Sequence, residues 1–127
     1  MPFAAQKRTS PTQRAVLRAE SPDIFTGLIA APAVQVYTVC VDMPFTAQIT
    51  GFVGILSAGT ATVRVLINGV VVNVLTGIAL TTVENQTNVD AYDASTIAPY
   101  GSTLTVEVTA QAGSANMAFG VNYDRLN

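Results

Sequence analysis

The chain has 127 residues, enough for one domain with a real core and little beyond it. Half of the residues are apolar and 11% are charged, a balance that excludes intrinsic disorder. The net charge is −2, with no His, no Trp and one Cys, which argues against nucleic acid as a partner and excludes an internal disulfide and every His-based catalytic arrangement.

The chain divides at about residue 23. Residues 1–23 carry Lys7, Arg8, Arg14 and Arg18 against Glu20 and Asp23, a net of +2. Pro2, Pro11 and Pro22 punctuate this stretch and prevent a continuous strand. Between the last two, Thr12 could cap a short helical turn through Ala15, Val16 and Leu17. Nothing in residues 1–23 can build a core, so they read as a basic arm that lies on another surface, that of an adjacent subunit by preference or that of its own sandwich. Arg14, Arg18, Glu20 and Asp23 interrupt any apolar run, which argues against a secretory signal. Residues 24–127 carry Arg64 and Arg125 against Asp42, Glu84, Asp90, Asp93, Glu107 and Asp124, a net of −4. They read as a second, acidic unit.

That unit is rich in strand formers. Over the whole chain, 17 Val, 7 Ile and 16 Thr supply the residue types that pack best on a pleated, half-buried surface. Strands are predicted at residues 34–41, 46–56, 62–67, 70–75, 78–83, 89–92, 103–110 and 116–123. A polar connection at 84–88 and a loop at 111–115 separate some of them. Eight short strands joined by small-residue turns predict an antiparallel sandwich or barrel. Residues 65–83 form an uncharged run of nineteen, long enough for a membrane span. Asn68-Gly69 inside it is a strong hairpin signal, and Asn73, Thr76, Thr81 and Thr82 break it at strand-like spacing. A membrane helix is therefore not expected.

The period of two assigns faces. Leu104, Val106 and Val108 share one side of their strand, Val63, Val65 and Ile67 another, and Met117, Phe119, Val121 and Tyr123 a third. In residues 47–55 both alternating sets look apolar. Gly51 and Gly54 there predict a bulge or a closely packed neighbour, and the strand should be central or buried in a contact between copies, for which a threefold one is expected. Sparse charge also removes the usual safeguard against association, so partner chains should cover much of the surface.

Few residues suggest chemistry. Cys40 in VYTVCVD reads as a small buried hydrophobe, since neither His nor a nearby Lys lowers its pKa. Asp90 and Asp93 could contribute to a calcium site, which would need several more oxygens. Nothing sets the separation of Glu84 and Glu107 as a glycosidase pair. Tyr37, Tyr92, Tyr100 and Tyr123 read as core or interface residues rather than sugar platforms. The Asn85-Gln86-Thr87 sequon has meaning only in a secreted chain. No enzyme activity, metal or other cofactor is expected.

Two runs carry a resemblance: FTAQITGFVGILSAGTATVRVLINGVVV (45–72) and PYGSTLTVEVTAQAGSANMAFGVNY (99–123). Together they resemble a β-sandwich module of tailed-bacteriophage virion proteins. The shared pattern is an Ile-Thr-Gly strand, a Val-x-Val-x-Ile-Asn-Gly hairpin and a Gly-x-x-Leu-x-Val-x-Val strand, over roughly residues 34–124. The family often has Asp after the glycine that opens the late strand, where this chain has Ser102. The resemblance implies a jelly-roll fold, often trimeric, in capsid decoration or cement, neck, tail and fibre proteins. It transfers no site residues.

The expectation is thus a jelly-roll-like antiparallel β-sandwich of about eight strands at residues 24–127, behind an N-terminal arm at 1–23. Its expected role is a capsid decoration or cement protein on the virion exterior, docked on the major capsid protein or another virion protein. A neck, tail or glycan-binding fibre module is the alternative. In the arm, Phe3 and Leu17 are the expected apolar anchors. Lys7, Arg8, Arg14 and Arg18 are expected to pair with acidic groups of the partner.

Overall fold

A computed structural model of the chain describes residues 23–126. These residues form ten strands: β1 (Asp23–Ile29), β2 (Val36–Cys40), β3 (Ala47–Ile55), β4 (Ala58–Ile67), β5 (Val70–Val71), β6 (Ile78–Leu80), β7 (Asn85–Asn88), β8 (Ile97–Ala98), β9 (Leu104–Ala115) and β10 (Met117–Arg125). A single 3₁₀ turn at Ala94–Thr96 accompanies them among the described residues. One sheet runs β1-β10-β3-β7, with β8 also on β3; the other runs β2-β9-β4-β5, with β6 also on β4. Every pairing is antiparallel. β1 to β4 alternate between the sheets, and the last strand returns beside the first. This is the expected jelly-roll-like sandwich.

Ten strands occupy eight positions, because the outer position of each sheet is broken. β7 covers Gly51–Gly54 of β3 and β8 covers Ala47–Gln48. β5 and β6 divide the edge of β4 in the same way. The two-residue turn between β4 and β5 places Asn68 at φ 51° and Gly69 at φ 81°, the left-handed pair that matches strand twist. The Asn68 side chain accepts from the Thr103 amide at 2.9 Å, which fixes the hairpin to the start of β9. The apolar run at 65–83 is thus strand and turn, and no helix of the described residues is long and apolar enough to cross a membrane.

Inward residues of both sheets form one core, including Ile49, Phe52, Val63, Val65, Leu104, Val106, Val108, Met117 and Val121, all fully buried. The alternation expected for β4, β9 and β10 is the one found. β3 differs. Tyr123 pairs with Ile49 but Asn122 pairs with Gly51, so Thr50 is the extra residue of a bulge. Parity reverses there: Ile49 and Phe52 both face the core, while Val53 and Ile55 turn outward. The strand is central in its sheet, and its two apolar sets come from this reversal rather than from burial of both faces.

Several boundaries need correction. β1 (Asp23–Ile29) was not expected as a strand. The polar stretch Asn85–Asn88 is β7, whereas residues 89–92 lie outside any strand. An edge strand on β3 needs backbone pairing more than apolar side chains. Residues 111–115 belong to β9, since Gln111, Ala112 and Ala115 pair with β4. Residues 72–75 leave the strand because Val74 adopts φ 61°, although Leu75 still accepts from the Val65 amide at 2.9 Å.

Two glycines separate backbone strain from crowding. Gly59 and Gly69 both have positive φ, but an added Cβ meets nothing at Gly69 and overlaps the Gly113 backbone at Gly59. Gly69→Ala should cost about 1–2 kcal/mol, the left-handed penalty alone. Gly59→Ala should cost clearly more, as read from the two urea midpoints.

Candidate functional site

The residues singled out for chemistry are dispersed or already engaged. Cys40 is half-buried and packs on the core from the end of β2. Asp93 caps the 3₁₀ turn, its Oδ1 accepting from the Ser95 amide at 2.9 Å and the Ser95 hydroxyl at 2.6 Å. No group of three potential metal ligands occurs among the described residues. Glu107 pairs with Arg64 at 2.8 Å on the exterior of the β2-β9-β4 sheet, while Glu84 lies beside the other sheet. The two carboxylates therefore belong to different surfaces. Asn85 is half-buried and donates to the Ala79 carbonyl at 2.6 Å. Phe3, Lys7, Arg8, Arg14, Leu17 and Arg18 lie outside the described residues.

The tyrosines divide. Tyr92 and Tyr100 are exposed, whereas Tyr37 and Tyr123 pack against the core. Tyr123 stacks on Phe25 of β1 at 4.6 Å and on Phe45 at 5.5 Å, with Arg125 over the Phe45 ring. Burial, helped by the negative charge of Asp23, raises the Tyr123 phenol above its ordinary pKa, against the opposing pull of Arg125. The stack fastens the start of edge strand β1 to the body.

That strand forms one wall of an apolar trough on the outer face of its sheet. Registration aligns Thr26, Gly120 and Val53 in one row across β1, β10 and β3, and Leu28, Ala118 and Ile55 in the next. Ile24 leans over Gly120, where any Cβ would collide with its Cδ1 and crowd Val53. The floor is therefore small and the walls are aliphatic. The hollow is about 300 Å³, with Glu84 among its lining residues. Leu28 is 70% exposed and Ile24 41%.

Exposed valines also lie along and beside β2 in the other sheet: Val34, Val36 and Val41, all more than half exposed. Beside β2, the exterior of β4 and β9 is wetted by Thr62, Thr105 and Thr109 around the Arg64–Glu107 pair. A second hollow beside the β4–β5 hairpin contains Ser95, whose hydroxyl accepts from the Asn73 amide and donates to Asp93. It offers no free reactive group.

Comparison with protein-family models, with curated proteins and with solved structures finds no match for this chain.

The sequence shows Ala118 and Gly120 as a small-residue face, but the trough also needs β1 and the parity reversal in β3. Leu28→Ser should change folding stability by less than about 0.5 kcal/mol, as expected for an exposed position. It should also shorten retention on a hydrophobic-interaction column, which reads loss of exposed apolar area beside the trough.

Proposed function

We propose that this protein is a non-enzymatic virion structural protein, a phage capsid decoration or cement protein that bridges subunits on the shell exterior. The observation that carries this reading is the apolar trough face on one sheet, with further exposed valines along and beside β2 on the other. Isolated exposed apolar residues are ordinary, but grouped ones mark contact sites. An apolar face on one sheet and exposed valines on the other suit a part held between neighbours. Among the described residues β1 and β2 are edge strands, whose outer backbone suits further association, including self-assembly as a trimer. The sequence resemblance to virion sandwich modules points the same way.

The mechanism is adhesive. Full burial of an exposed Leu, Ile or Val side chain is worth roughly 1.5–3 kcal/mol, so a few such residues support docking without chemistry. Binding only to the assembled shell stabilises that state by linkage, and simultaneous contacts multiply affinity. The arm adds a separate grip across a joint between subunits, with Phe3 and Leu17 as anchors and Lys7, Arg8, Arg14 and Arg18 facing acidic groups.

Removal of residues 1–22 leaves β1 intact and should preserve the β-sheet circular-dichroism spectrum. The shortened protein should no longer co-sediment with shells of the phage that encodes it. Undiminished co-sedimentation would overturn the role of the arm.

A further inference from the structure

Edge strands expose backbone that can pair with another chain, and proteins usually shorten, bulge or charge them. Four outer elements of this sandwich are short: β5, β6, β7 and β8 have two to four residues each. β2 is longer, but its register shifts between Thr38 and Cys40. β1 is different. It pairs with β10 over seven residues without a shift, and its one charged residue is Asp23, at the first position. Among the described residues, no strand pairs with its other edge.

The backbone fixes how that edge can be used. The Asn116 amide donates to the Ala30 carbonyl at 2.8 Å, so the hydrogen bonds to β10 fall on the even-numbered residues of β1. Asp23, Phe25, Gly27 and Ile29 therefore present their amides and carbonyls at the outer edge. Antiparallel pairing with β1 of a second copy, centred on Thr26, makes Phe25–Gly27 and Asp23–Ile29 the hydrogen-bonded pairs. Thr26 then faces Thr26, and Ile24 faces Leu28 of the second copy. These are the non-hydrogen-bonded positions, where side chains lie closest. The exposed Ile24 and Leu28 thus cover each other. The two Asp23 residues fall at opposite ends, about 20 Å apart at roughly 3.4 Å per residue, well beyond the Debye length of about 8 Å.

The β2 edge does not fit β1 in the same way. The Val108 amide donates to the Gln35 carbonyl at 2.9 Å, so the outer edge of β2 is presented by Val36 and Thr38, whose side chains face the exterior. On β1 the outer edge is presented by residues on the core side, among them Phe25 and Ile29. Hydrogen-bonded partners share a face of their sheet. Antiparallel pairing of β1 with β2 would therefore set the core side of one sheet beside the exterior of the other. Pairing β1 with β1 keeps core side with core side.

We infer that two copies of this protein associate edge to edge through β1, across a twofold axis at Thr26 that joins their trough-bearing sheets into one. Seven residues a side are well under the roughly 20–30 of a standard interface, so the pairing is reversible and concentration-dependent. It does not rest on the role proposed above, and it leaves the β2 edge to other contacts.

The test uses the full chain carrying Cys40→Ala and a single new thiol in β1. Non-hydrogen-bonded partners stand about 4.5 Å apart at Cα, within disulfide reach. Thr26→Cys should therefore cross-link to itself under mild oxidation, with a yield that rises with protein concentration. Leu28→Cys, although well exposed, should not, because the two copies of residue 28 stand about 14 Å apart along the pair. Mixed with the Ile24→Cys chain, it should give the mixed disulfide, read by mass spectrometry of the unreduced product. Absence of the Thr26 cross-link would overturn the inference, and is the result expected if the chain's own residues 1–22 occupy this edge. Self-cross-linking of Leu28→Cys as fast as that of Thr26→Cys would overturn it too, since collision without register would then explain both.

Discussion

One extra residue in β3 governs what this sandwich presents to its surroundings. The bulge at Thr50 lets Ile49 and Phe52 both enter the core, where an unbroken strand would send one of them out. Beyond the bulge the same reversal turns Val53 and Ile55 to the exterior, opposite the small floor of β10. Core filling and the apolar trough are thus two consequences of a single register shift. Gly51 and Gly54 accompany the reversal. Gly54 accepts the close approach of Leu80, and Gly51 that of the β7 backbone at Thr87.

The second constraint is the scarcity of charge. With 11% charged residues, the exterior is covered chiefly by Thr, Asn and small residues. The Arg64–Glu107 pair sits on one sheet exterior, partly exposed, and such pairs contribute about 0–1 kcal/mol. Its position in the centre of a Thr-clad face is better understood as register marking between β4 and β9, whose residues 64 and 107 lie directly opposite. Among the described residues the other sheet lacks such cover on its β1-β10-β3 half, and that difference between the exteriors is why the trough face invites an occupant.

Much of the fold was legible in the sequence where local chemistry agrees with tertiary need. Asn68-Gly69 specified its hairpin, and the clean alternation of Leu104–Val108 and Met117–Tyr123 specified which sides face inward. β1 was not legible, because Phe25, Gly27 and Ile29 differ little in polarity from Ile24, Thr26 and Leu28. β7 was hidden for the opposite reason: Asn85–Asn88 is polar throughout and is a strand only because β3 offers it partners. The trough combines three segments, one of them unrecognised and another of reversed parity, so no local pattern could announce it. The arm's basic residues were plain in the sequence, but composition alone names no surface for them.

The proposed role as a lattice-covering cement is tested most directly by copy number. Under that proposal, quantitative mass spectrometry of a purified phage particle would give the ratio of this chain to the major shell protein. The account predicts a copy number comparable to that of the shell protein. A count that is a small fraction of it, as for a neck or fibre part, or absence from the particle, would contradict the account.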